Sequence, residues 1–66
     1  MKATARMIEE KSPGTLTVFE TFIVTPSRPH AKLWRRSWYG AKERKAAEAR
    51  LKWLESMIEK YPESFK

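Results

Sequence analysis

The sequence predicts an α+β fold: a small three-stranded antiparallel sheet followed by one C-terminal amphipathic helix, βββα. Three observations predict it. Apolar side chains recur at helical spacing from Ala47 to Tyr61. The segment 15–25 is dense in β-branched and aromatic residues. Proline- and glycine-containing joints at 12–14 and 26–29 divide what precedes the helix into three extended segments.

The first strand is expected over residues 3–10, with Ser12-Pro13-Gly14 as the turn that makes it the hairpin partner of the next. The second covers 15–25. Leu16, Val18, Phe22 and Val24 fall on one of its faces, and Glu20 interrupts that face, which points to a bulge or an edge position. Pro26-Ser27-Arg28-Pro29 forms the second connection, and residues 31–39 supply the third strand. In the helix, Ala47, Leu51, Leu54, Ile58 and Tyr61 make one stripe, widened by Ala46, Trp53 and Met57. Glu48, Lys52, Glu55, Ser56 and Glu59 face the opposite way, with Arg44–Glu48 and Glu48–Lys52 as weak i,i+4 pairs. Pro62 ends the helix, because the residue before a proline is pushed out of the α region. Carried backward, the stripe falls on Arg44, Gly40 and Ser37, so the helix begins near Ala41. Its apolar face then covers one side of the sheet and leaves the other side open.

The chain has 66 residues and no cysteine, so neither disulfides nor thiolate-bound metals can staple it. A domain this small buries only about 60% of its unfolded surface. Its stability must come from an aromatic-rich core or from pairing with a second copy as a homodimer. One domain is expected over residues 1–66. No apolar run reaches the ~20 residues that span a bilayer, and residues 1–8 lack the features of a secretory signal, so a cytoplasmic protein is expected.

The charge is not spread evenly. Between 28 and 45 stand seven cations, Arg28, Lys32, Arg35, Arg36, Lys42, Arg44 and Lys45, against the single anion Glu43. That stretch alone carries the chain's net charge of +6, since the residues on either side balance. It also contains Trp34, Trp38 and Tyr39. Focused positive charge interleaved with aromatics is the footprint of a face that meets an acidic partner.

Within it, strand alternation puts Lys32, Trp34, Arg36 and Trp38 on one face and Leu33, Arg35, Ser37 and Tyr39 on the other. The two tryptophans can serve as core, supplying large buried area. Alternatively they stand on the open face as stacking platforms between cations. A third feature is the first helical turn, where Lys42, Arg44 and Lys45 crowd the positive end of the helix dipole. Each misplaced charge there costs roughly 0.3–1 kcal/mol. Cations beside free backbone N–H groups also suit a phosphate or carboxylate; the plain alternative is a solvated charge run.

The inferred topology, with its helix entered through Tyr39-Gly40-Ala41-Lys42-Glu43-Arg44, is similar to that of two groups of sheet-plus-helix modules. These are the AP2-type domains and the integrase N-terminal arm-binding domains, which lay a three-stranded sheet in a DNA groove. Those modules tend to enter their helix through a Thr-containing cap and a Glu-Ala pair, which this junction lacks. The resemblance therefore implies a fold and a partner class, DNA, and assigns no family.

An enzyme is not expected. The single histidine, His30, follows Pro29 in a connection, and one imidazole gives no metal spacing. Glu9 and Glu10 are adjacent and point to opposite faces of a strand, which makes a poor acid/base pair. No cofactor is implied. The function expected is a small nucleic-acid-binding regulatory or accessory protein, DNA favoured over RNA, of the kind a phage or other mobile element carries. The second expectation is a protein-binding module or inhibitor that docks the same face on an acidic protein surface. A membrane-surface role ranks below both, because the polar face of the helix is charge-balanced.

Overall fold

The structure, a computed structural model, describes residues 2–11, 13–14 and 16–66. Ser12, assigned above to the first turn, and Thr15, assigned to the second strand, lie outside the described residues. Strands β1 (Thr4–Lys11), β2 (Thr17–Thr25) and β3 (Arg28–Tyr39) form one antiparallel sheet in the order β1-β2-β3. A 3₁₀ turn at Ala41–Glu43 leads into helix α1 (Arg44–Lys60), and a second 3₁₀ turn spans Pro62–Ser64. The βββα expectation holds. The third strand begins three residues earlier than the sequence suggested, since Arg28 already pairs with Thr25 and the connection shrinks to Pro26-Ser27. Pro29 can lie inside β3 because β3 is an edge strand, where a missing N–H can face solvent.

The helix packs on the face of β2 formed by Phe19, Thr21, Ile23 and Thr25, all of which are buried. The face expected from Leu16, Val18, Phe22 and Val24 is the open one. A central strand that is apolar on both sides gives periodicity nothing to choose between. The helix settles over Phe19 and Ile23, flanked by two threonines whose small side chains let it approach. Nor does Glu20 mark a bulge or an edge: β2 is the central strand, and its pairing with β1 runs unbroken from Thr4–Val24 to Lys11–Thr17. The irregularities lie instead between β2 and β3, beyond Thr21.

Ala3, Ile23, Leu54 and Phe65 form the core cluster, with Ala5, Leu33, Met57 and Ile58 packed around it. Ala47 and Leu54 sit at the centre of the predicted stripe with no exposed surface, and Leu51 is half-buried. Tyr61 and Ala46 are exposed and contribute little to the core. Pro62 does stop the helix, but the chain then turns back through Pro62–Ser64 and drives Phe65 into the core, 4% exposed. The return is held where the Ser27 hydroxyl donates to the Lys66 carbonyl oxygen, joining the C-terminus to the β2–β3 turn. Thr21 Oγ1 is buried on the helix side with no hydrogen-bond partner among the described residues.

One backbone feature shapes the site. Between the Thr21–Arg36 and Ile23–Leu33 pairs, β3 carries one residue more than β2. Trp34 absorbs it with φ at 56°, a left-handed conformation that costs a bulky residue about 1–3 kcal/mol. This bulge re-phases the strand. Leu33 joins the helix side against the core, and Trp34 stays on that side too, against Trp53 and Phe65. Strict alternation had grouped Lys32 with Trp34, Arg36 and Trp38. The bulge sends Lys32 to the open face instead, with Arg35.

Candidate functional site

The basic segment does not present one face. On the open side of the sheet, Lys32 Nζ donates to Glu20 Oε1 at 2.6 Å and Arg35 Nε lies 3.3 Å from Glu20 Oε2. Lys32 also lies over the Phe22 ring, 5.0 Å from its centroid, and Phe22 is only 4% exposed despite facing away from the helix. The lysine stem thus acts as a cover for an aromatic that the helix does not reach. Both cations that the basic segment puts on this face are already engaged by a carboxylate from the neighbouring strand, while Arg6 of β1, opposite Phe22, shares the face and takes part in no ion pair among the described residues.

At the start of α1, the Arg44 guanidinium turns back to the sheet. It donates to Glu9 Oε1 on β1 at 2.8 Å and lies over Phe19 at 5.2 Å. Lys42 and Lys45 are exposed and take part in no ion pair among the described residues. Glu43, at the N-cap, makes no side-chain cap, and the first turn of α1 holds no acidic residue. The crowding of cations seen in the sequence is therefore real, and one of the three, Arg44, is neutralised by tertiary contact. Arg28, exposed at the beginning of β3, stands apart beside the Pro26-Ser27 turn.

The helix side of β3 is different. Arg36 sits opposite the buried Thr21, and directly paired residues project to the same face. Its guanidinium lies over the Trp38 ring at 5.3 Å, and Trp38, paired with Phe19, is half-buried. Further along, Trp34 packs against Trp53 of α1, with centroids 5.7 Å apart and planes tilted by 33°. It meets Phe65 edge-on at 5.1 Å. Arg50 of α1 lies over Trp53 at 4.4 Å. The strip Trp38, Arg36, Trp34, Trp53, Arg50 thus has a guanidinium over Trp38, another over Trp53, and the Trp34–Trp53 pair between them. Neither arginine is paired with a carboxylate among the described residues, and the Nε of Arg50 is buried without a hydrogen-bond partner.

The strip is open because α1 leans on β1 and β2 and touches β3 little. Trp34 and Trp53 remain 44% and 41% exposed. The tryptophans are therefore neither plain core nor a platform on the sheet's free face; they line the flank of the helix–sheet contact. Arg50, Trp53 and Phe65 were not among the expected site residues. Arg50 and Trp53 are three apart on the helix, so they share a flank, and that spacing is a signal the sequence did offer. Phe65 could not have been found, since it returns only through the turn after Pro62.

A depression of about 840 Å³ opens beyond Phe65, lined by Ala3, Ile58 and Phe65, with Glu55, Glu59 and Glu63 and also Lys2 and Lys66 around it; Lys66 pairs with Glu63. His30 is exposed on β3, and no cluster of three or more His, Cys, Asp or Glu side chains that could hold a metal occurs among the described residues. Among the described residues, no helix is long and apolar enough to cross a membrane. No family model, curated protein or solved structure matches the chain.

Proposed function

We propose that this chain is a small nucleic-acid-binding protein, with DNA the favoured partner, and that it binds through the α1–β3 flank. One observation carries the reading: Arg36 and Arg50 lie on tryptophan rings with no carboxylate to hold them among the described residues, whereas Lys32 and Arg35 on the open face are tied to Glu20. A guanidinium lying on an indole can keep in-plane N–H donors free for phosphate oxygens, and in Arg50 those are the terminal NH2 groups, since its Nε is buried. Lys42 and Lys45 follow β3 directly in the chain and extend the positive surface toward the start of α1. Arg28 adds charge at the opposite end of β3. The role is one of binding and needs neither cofactor nor metal.

The test is a titration against duplex DNA, single-stranded DNA and RNA across a salt series. If four of Arg28, Arg36, Lys42, Lys45 and Arg50 meet phosphates, log K should fall against log salt with a slope of roughly −4 on a duplex and roughly −3 on a single strand. Absence of binding to every nucleic acid at low salt, on a folded sample, would overturn the proposal. An acidic protein surface would then become the leading partner, because exposed Trp and Arg are also hot-spot residues of protein interfaces.

A further inference from the structure

We infer that the Trp34 ring is a stacking platform for an unpaired base, and that the preferred ligand is therefore single-stranded nucleic acid. The inference rests on the nucleic-acid reading above and narrows it. Trp34 holds a backbone conformation unfavourable for a bulky residue, yet its ring keeps 44% of its surface exposed. A tryptophan used only for packing would repay that strain with burial. Strain retained at a residue that stays open is more typical of a binding position.

The ring is braced by its neighbours. Phe65 supports it edge-on, and Trp53 packs against it, itself backed by Arg50. At 5.7 Å between centroids, the Trp34–Trp53 pair is too close to admit a base between its rings. A base would have to use the part of Trp34 that Trp53 and Phe65 leave open, 44% of the residue's surface. In a duplex the base faces are hidden by their neighbours, so a flat exposed indole gains contact only from bases that are unstacked. Arg36 lies two residues along the strand and Arg50 lies on the far side of Trp53. Their guanidinium groups lie over Trp38 and Trp53, and the inference gives them the phosphates that flank the stacked nucleotide.

The experiment uses the full chain with three ligands of one length, roughly 4–16 nucleotides. These are an oligothymidylate, an abasic strand with the same phosphates, and a duplex. Binding is followed by anisotropy of a labelled ligand and by tryptophan emission. The oligothymidylate should bind about tenfold or more tightly than the abasic strand and quench the emission. Trp34→Ala should bring it down to the abasic level, while Trp34→Phe, which keeps a stacking ring, should retain most of the affinity. Equal affinity for the oligothymidylate and the abasic strand would overturn the inference, as would duplex binding as tight as the single strand. Either result leaves nucleic-acid binding itself standing. Failure to bind all three ligands would remove both readings together. If Trp34→Ala does not fold, the three-ligand comparison on the unaltered chain decides alone.

Discussion

Leu54→Ala is the sharpest test of the scaffold. Leu54 has no exposed surface and lies in the cluster with Ala3, Ile23 and Phe65, so the substitution removes side-chain carbons from the one place where helix, sheet and C-terminus meet. Losing the equivalent of three methylenes at about 0.8 kcal/mol each costs roughly 2.4 kcal/mol in transfer free energy. The cavity left behind raises the total toward the 2–5 kcal/mol typical of such changes. At 0.05–0.15 kcal/mol per residue, a chain of this length has about 3–10 kcal/mol to lose. The buried apolar set among the described residues, seven side chains of which two are alanines, argues for the lower part of that range. The melting temperature should fall by about 4–8 °C for each kcal/mol lost, or about 12–24 °C for a 3 kcal/mol change. The assay is a far-UV circular dichroism melt with a urea titration beside it, which separates lost stability from a changed unfolded state. Leu51→Ala is the internal control: that side chain is half-buried and should cost about half as much. A Leu54→Ala protein that melts within a few degrees of its parent, with the same urea midpoint, would mean that α1 does not rest on the sheet through this residue.

Two further outcomes follow from the local geometry. Arg36→Ala should weaken nucleic-acid binding more than Arg35→Ala, because Arg36 lies on the tryptophan flank and Arg35 is held by Glu20 on the other side; equal losses in the same titration would place the interface on the open face of the sheet. Both should leave stability within about 0.5 kcal/mol, as exposed changes usually do. Gly40→Ala should cost about 1–3 kcal/mol in a thermal melt, since Gly40 takes φ 106° and ψ 145°, a region nearly closed to other residues. A Cβ there would touch nothing within 4 Å, so the cost is purely conformational, and an unchanged melt would show that the β3–α1 junction relaxes freely.

Much of the architecture was legible in the sequence because it is locally encoded. A stripe such as Ala47, Leu51, Leu54 and Ile58 can be satisfied only by a helix, Pro62 cannot continue one, and β-branched runs broken by Pro and Gly give three strands. The concentration of positive charge between 28 and 45 was equally plain, and so was its mixing with aromatics. What that charge could do was not. Glu20 lies 12 residues from Lys32, and Glu9 lies 35 residues from Arg44. Only folding brings those carboxylates against the basic segment and divides its cations into engaged and available ones.

The same holds for the tryptophans. Strand alternation is a rule of period two, and one extra residue at Trp34 shifts its phase, so no count along β3 could say which side Lys32 or Leu33 would take. The face of β2 that the helix covers was likewise undetermined, because Phe19 and Ile23 compete with Val18 and Phe22 on equal apolar terms. Element type and boundary depend on neighbours a few residues away, and the chain carries that information by itself. Face, ion pairing and the assembly of Trp34, Arg50, Trp53 and Phe65 depend on contacts between distant segments, and those are decided only when the whole chain packs.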